Sequence, residues 1–291
     1  MGSRMRRWRQ QVGLALAAGL VVLLSVGAAI GAGAGAGGGA AAPRGAAPAA
    51  AAAVKPIQPE FTFTRLIYQD NSVFGGFGGF GGGRGGRGGR GGGGSWRTDA
   101  PDAEFHVQQG LRRLTRVDVN QGFHAVGLLD DELWDAPFLY GVEVGRWYLS
   151  DEEAAKLREY LLKGGFLMVD DFHGTLQWEG FMESMRRVFP DREVVDIPDS
   201  HEVFHVLFDL DSRVQIPGIY ALLNGVTYEQ DGVDPHWRGV FDDNGRLMVA
   251  INFNMDMGDA WEHADTPEYP QPLTALAYRF ASNYVLYAMS H

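Results

Sequence analysis

Residues 166–174 read Phe-Leu-Met-Val-Asp-Asp-Phe-His-Gly, four apolar residues followed at once by Asp170, Asp171 and His173. A buried strand ending in two carboxylates and an imidazole can hold a divalent cation through oxygen and nitrogen, or orient a water as general base. Adjacent aspartates directly after an apolar strand are expensive to place unless something uses them. The structural alternative makes one aspartate the cap of the next helix and His173 a hydrogen-bonded core residue.

A second group follows Leu247-Met-Val-Ala-Ile-Asn-Phe-Asn-Met-Asp-Met-Gly-Asp259, where an apolar run switches to alternating polar and apolar residues. Asn252, Asn254 and Asp256 share one face of any extended continuation, with Asp259 and Trp261 close behind. Amides and carboxylates that pair with hydroxyls, beside an indole that stacks on a ring, suit a carbohydrate-like polar ligand; the alternative is a loop anchored by a buried tryptophan. Glu143, in Gly141-Val-Glu-Val-Gly145, is a further strand-end candidate. His201-Glu-Val-Phe-His205 formally satisfies H-E-x-x-H, a zinc-peptidase spacing. Pro198 and Pro217 bracket it, however, and no third ligand follows at a familiar distance. His201 and His205 therefore either join Asp170, Asp171 and His173 as metal ligands in a site assembled by the fold, or flank a short helix whose Val203, Phe204 and Leu207 pack inward. Gly-x-Ser-x-Gly, a Walker loop and a dinucleotide fingerprint are absent.

Positioning these groups falls to alternating strands and helices. Phe61–Tyr68 reads as a first strand, followed by a helix capped by Asp99 or Asp102 and running to about Arg116, with Phe105, Leu111 and Leu114 on its apolar side. A short strand at Val117–Val119 and a buried one at Pro137–Val144 come next. Ser150-Asp-Glu-Glu153 is a capping box opening a helix to Lys163, ended by Gly164-Gly165. Phe166–Val169 has the unbroken apolar character of a strand covered on both faces. Beyond it lie a helix near Trp178–Val188, strands at Glu193–Ile197, Gln215–Tyr220, Arg238–Phe241 and Leu247–Phe253, and a last helix over Leu273–Met289. This alternation predicts a doubly wound α/β domain. In such sheets ligands gather beyond the carboxyl ends of the strands, where Asp170, Asp171 and Glu143 fall.

The chain has 291 residues and a formal charge of −11, but 19 basic and 35 acidic residues in 61–291 make that part about −16. So acidic a body repels phosphate backbones, so no nucleic acid is expected as a partner. The absence of cysteine excludes disulfides, thiolate metal sites and a cysteine nucleophile. Arg4, Arg6, Arg7 and Arg9 precede a charge-free apolar run from Val12 to Ile30, which predicts a signal peptide or membrane anchor over 1–30 and an exported, periplasmic or membrane-tethered protein. An Ala/Gly/Pro-rich linker spans 31–60, and a single α/β domain 61–291. Within it, fifteen of the twenty residues 75–94 are glycine, in Gly-Gly-Phe and then Gly-Gly-Arg units, the composition of a disordered loop.

The stretches Trp96-Arg-Thr-Asp-Ala-Pro-Asp-Ala-Glu-Phe105, Tyr148–Ala155, Gly164–Gly174, Phe189-Pro-Asp191, Ile197–His201 with Phe204-His205, and Asn252–Trp261 resemble a bacterial family known as domain of unknown function 4159. That family is similar to class I glutamine-amidotransferase-like and trehalose-utilisation-like domains, and the resemblance implies a mostly parallel flavodoxin-like sheet with helices on both faces. Proline usually occupies the position of Glu202 in the family, which makes H-E-x-x-H a chance match. The amidotransferase nucleophile is a cysteine, so that chemistry does not transfer. Three functions remain open: binding or processing of a carbohydrate-like ligand in the cell envelope, a divalent-metal-dependent hydrolase, and a non-catalytic scaffold that binds an envelope protein.

Overall fold

The computed structural model describes residues 59–71 and 94–291. The expected signal or anchor segment, nearly all of the linker and nearly all of the Gly/Arg-rich loop lie outside them. Strands are β1 (Thr64–Ile67), β2 (Gln69–Asp70), β3 (His124–Gly127), β4 (Phe138–Val142), β5 (Trp147–Tyr148), β6 (Phe166–Asp170), β7 (Val195–Asp196), β8 (His236–Phe241) and β9 (Leu247–Phe253). Helices are α1 (Asp102–Leu114), α2 (Asp151–Leu162), α3 (Gly174–Val188), α4 (Ile219–Leu223), α5 (Met257–Glu262) and α6 (Gln271–Ser290). The main sheet runs β3-β1-β4-β6-β9-β8-β7. Its first five strands are parallel, and counted along the chain they stand in the order 2-1-3-4-5 of a flavodoxin-like fold. β8 and β7 extend that core antiparallel beyond β9.

β4, β6 and β9 are buried over their whole length, as unbroken apolar strands must be when helices cover both faces. Phe138, Tyr140, Phe166 and Met168 pack on one side with α1, α5 and α6; Leu139, Leu167 and Val169 pack on the other with α2 and α3. A register shift in the β8–β9 pairing puts Leu247 on the first side and both Met248 and Val249 on the second. Ser150 caps α2 as its spacing predicts: its hydroxyl accepts from Glu153 N at 3.2 Å while Glu153 accepts from Ser150 N at 2.8 Å.

Several boundaries differ from the sequence reading. No strand forms over 215–220; Gly218 instead leads into the single helical turn α4. Val117–Val119 contributes only an isolated bridge from Val119 to Phe61. β3, His-Ala-Val-Gly, carries too little apolar periodicity to announce itself. In α1 the buried stripe is Ala103, Val107 and Leu111, while Phe105 is 59% exposed. Neither Asp99 nor Asp102 makes a side-chain cap there.

Candidate functional site

Three neighbouring parallel strands, β4, β6 and β9, are each followed at once by a polar residue in the left-handed region: Glu143 (φ 53°), Asp171 (φ 53°) and Asn254 (φ 64°). Among the described residues the other non-glycine cases are Asp99 (φ 63°) and Gln230 (φ 52°), which belong to loops reaching the same edge. Left-handed backbone at non-glycine residues carries a conformational cost, and its concentration at one edge marks where the fold spends stability on side-chain placement. Backbone bonds extend the sheet's pairing into these turns, with Glu143 N donating to Asp170 O (3.1 Å), Asp171 N to Met255 O (3.0 Å) and Asn254 N to Phe172 O (3.1 Å).

Carboxylates from three segments then converge. Asp99, Asp256 and Asp259 each offer an oxygen, all within 4.8 Å of one another; Asp259, Glu262 and His263 form an overlapping group. Asp256 caps α5, accepting from Asp259 N at 2.7 Å, and Asp259 accepts from Ile219 N at 2.7 Å. Glu229 arrives from the loop after α4: a Cβ on Gly218 would stand 2.8 Å from Glu229 Oε1, 2.8 Å from Asp256 Oδ2 and 3.2 Å from Asp259 Oδ2. Oδ2 of Asp99 is buried with no hydrogen-bond partner, and so is the hydroxyl of fully buried Tyr140, which faces Gly258 beside that carboxylate. Arg65 fixes the turn before Asp99, donating through Nη1 to the carbonyls of Trp96 (3.0 Å) and Thr98 while Nε pairs with Glu104 at 2.5 Å.

The electrostatics follow from that crowding. Burial, and then neighbouring carboxylates, hold Asp99, Asp171 and Asp256 far above the usual carboxylate range. Burial and Asp171 push Glu143 up to about 8 despite Arg146 at 3.2 Å. His173 is 3% exposed; its Nε2 lies 3.3 Å from Asp171 Oδ1 and its Nδ1 has no partner. Burial lowers its pKa, which keeps the ring neutral. A neutral imidazole held by a carboxylate on one nitrogen has the other free to accept a proton.

The sequence model of a family described as Domain of unknown function (DUF4159) matches residues 88–289, more than two thirds of the chain. The chain belongs to the DUF4159 family. No curated protein gives a significant match.

The other residues singled out from this DUF4159 sequence separate into two kinds. Asp170 is at the edge but turned to the fold: its Oδ2 accepts from Met257 N (2.5 Å) and Gly258 N (3.2 Å), pinning the start of α5, while Oδ1 has no partner. Asn254 ties two loops together, accepting from Gly174 N at 2.9 Å and donating to Asp234 O at 2.7 Å. Asn252 lies inside the core, donating to Val169 O at 3.1 Å and accepting from Tyr284 Oη at 2.8 Å. Trp261 is fully buried with its ring against Phe63 and Tyr140, so it presents no stacking face. The chain turns into α5 at Met257, which breaks the extended continuation that would have aligned Asn252, Asn254 and Asp256.

His201 and His205 do not join Asp171 and His173. His201 packs on Phe241 and Tyr287 at the start of β9, and its Nδ1 accepts from Val203 N at 3.2 Å. His205 lies 2.9 Å from both Asp209 Oδ1 and Asp199 O. The seven residues of β9 separate the two ends by about 20 Å. Only a single 3-10 turn, Glu202–Phe204, lies between the histidines, so the helical face that H-E-x-x-H requires does not form. Asp99, Glu229 and Tyr140 were not legible as site residues. Asp99 and Glu229 come from loops with no apolar run to mark them, and Tyr140 reads as one more apolar strand residue.

Proposed function

We propose that this DUF4159 domain is a divalent-cation-dependent hydrolase whose centre is the carboxyl edge of the sheet. The observation that carries the reading is the convergence of Asp99, Asp256 and Asp259 within 4.8 Å with a buried, unpartnered oxygen on Asp99. Like charges packed this closely raise one another's proton affinity, and a cation relieves all of them together. Three carboxylates are hard oxygen donors, which favours magnesium, calcium or manganese over zinc or copper. A bound cation would supply Lewis acidity and a more acidic water.

The chain's own groups supply the rest. Asp171 orients His173 through Nε2, and Glu229, foremost of the acids around the ring, favours its charged form once it takes a proton at Nδ1. Glu143, held near 8, is protonated at neutral pH and can give a proton to a leaving group. The basic and apolar N-terminal residues support export, so the reaction is assigned to a polar ligand of the cell envelope.

The test is elemental analysis of protein purified without chelator, followed by calorimetric titration with magnesium, manganese and calcium. One cation per chain, lost in Asp99→Asn and Asp259→Asn, is expected. Failure to take up any of the three after reconstitution overturns the proposal.

A further inference from the structure

No element among the described residues covers the outer face of α1. Ala103, Val107 and Leu111 turn into the core, so Asp102, Phe105, Gln109, Arg112 and Arg113 share the opposite side. A groove with a cavity volume of about 840 Å³ runs along that side, between Phe105, Gln109 and Arg113 on one wall and Gln121 and Phe123 on the other. Gln108 fixes the second wall, donating to Gly122 O at 2.7 Å and accepting from Gly122 N at 3.1 Å, and Trp96 stacks behind Phe123 at 6.4 Å. The face is bipolar. Asp102 opens the helix, with exposed Asp265 lying 4.0 Å from His106 one turn on; Arg112 and Arg113 close it, and Arg116 follows. Elsewhere Lys156, Arg158 and Arg246 each hold a carboxylate. Arg112, Arg113 and Arg116 have neither ion pair nor hydrogen bond among the described residues.

We propose that this face is the interface of a two-fold dimer, in which α1 packs antiparallel on α1 of a second copy. A two-fold interface must be complementary to itself, and a helix face that is acidic at its start and basic at its end meets that condition in the antiparallel sense alone. Asp102 of each copy then meets Arg112 and Arg113 of the other, whereas a parallel pairing would set like charges together. The two ends stand about 15 Å apart along the helix, beyond the screening length of about 8 Å at physiological salt, so each acts for itself. The same screening confines the mutual repulsion of two acidic bodies, while the contact charges meet inside that distance. A wholly acidic partner would be opposed by Asp102 and Asp265, and a wholly basic one by the arginines; a second copy in reverse answers both. Between the charged ends, exposed Phe105 of each copy faces the groove of the other and the guanidinium planes beside it.

The test uses the full chain in a mild detergent. The sequence holds no cysteine, so a thiol introduced in Gln109→Cys is the only one present. A short bismaleimide is expected to join two such chains, and to leave Glu152→Cys, on the exposed side of α2, unlinked. Sedimentation equilibrium supplies the second reading. Asp102→Lys and the pair Arg112→Glu/Arg113→Glu are each expected to weaken self-association about tenfold or more. Mixing those two proteins is expected to restore it, because every contact of the mixed dimer again joins opposite charges. All three side chains are exposed, so an unchanged melting temperature shows that the variants fold. Asp99→Asn is expected to lose the cation and keep the dimer, which separates this interface from the hydrolase centre. A wild-type chain that stays monomeric at about 100 µM overturns the interface. So does self-association unchanged in both charge variants, or weakened in both and not recovered on mixing.

Discussion

The two ends of the central sheet hold the same kinds of side chain and treat them in opposite ways. At the amino end, His201, His205 and Arg246 have their bonding capacity spent: Arg246 alone donates to Gly165 O at 3.0 Å, to Leu161 O at 2.5 Å and to Asp242 at 3.2 Å. At the carboxyl end, Asp99, Tyr140, Asp170 and His173 all keep a buried polar atom without a partner, and acids outnumber the bases that reach them. Unspent capacity in a buried place costs folding free energy of about 1–3 kcal/mol per group. A fold that gathers four such groups at one edge, against the buried Nε of Arg192 beside Phe241 at the other, concentrates its unspent capacity at the carboxyl end and marks it as the working one.

Cation binding gives the largest contrast. Asp99→Asn or Asp259→Asn is expected to weaken binding by more than about 100-fold, and the double variant His201→Ala/His205→Ala to leave it unchanged. Calorimetric titration decides the matter; the opposite ranking would put the centre at the H-E-x-x-H segment and erase the distinction between the two ends.

Stability sharpens the same comparison from the other side. Without cation, Asp99→Asn removes a repelled carboxylate and is expected to raise the melting temperature by about 2–8 °C, equivalent to about 1–2 kcal/mol in a domain of this size. Arg246→Met at the amino end leaves two buried carbonyls without their donor and is expected to lower it by a similar amount. Differential scanning calorimetry reads both, and a fall in both would mean that Asp99 is bonded after all.

What the sequence revealed divides along the same line. Apolar runs are strong signals, so β4, β6, β9 and the residues directly behind them, Glu143, Asp170, Asp171 and Asn254, were legible. Fixed spacing also served: Ser150 and Glu153 form the capping box that their separation promises. Convergence was not legible, because nothing local distinguishes Asp99 as a cap from Asp99 as a ligand; only the turn held by Arg65 decides it. The two histidines of H-E-x-x-H mislead for the converse reason. Their residue types are right for chemistry, yet Val203 N engages the His201 ring and Asp209 and Asp199 engage the His205 ring before any ligand arrives.

The smallest effect concerns pH. Glu143 is held at about 8 in the folded chain against about 4.3 when unfolded. As pH rises between those values the unfolded chain releases a proton that the folded one retains, so the cation-free protein loses stability in that window. His173 acts the other way only below its unfolded value of about 6.5, since burial depresses its pKa and its neutral form is the stabilising one. Between pH 6.5 and 8 the carboxylates therefore act without opposition from His173, and the melting temperature is expected to fall across that interval. Glu143→Gln should flatten the fall by about 2–4 °C, leaving the share that belongs to Asp99, Asp171 and Asp256. Saturating cation should remove that remaining share, because a cation stabilises the ionised carboxylates that high pH produces. A melting temperature independent of pH from 6 to 9 in the cation-free protein would show that these carboxylates are not crowded, and with that the reason for a cation at this edge would be gone.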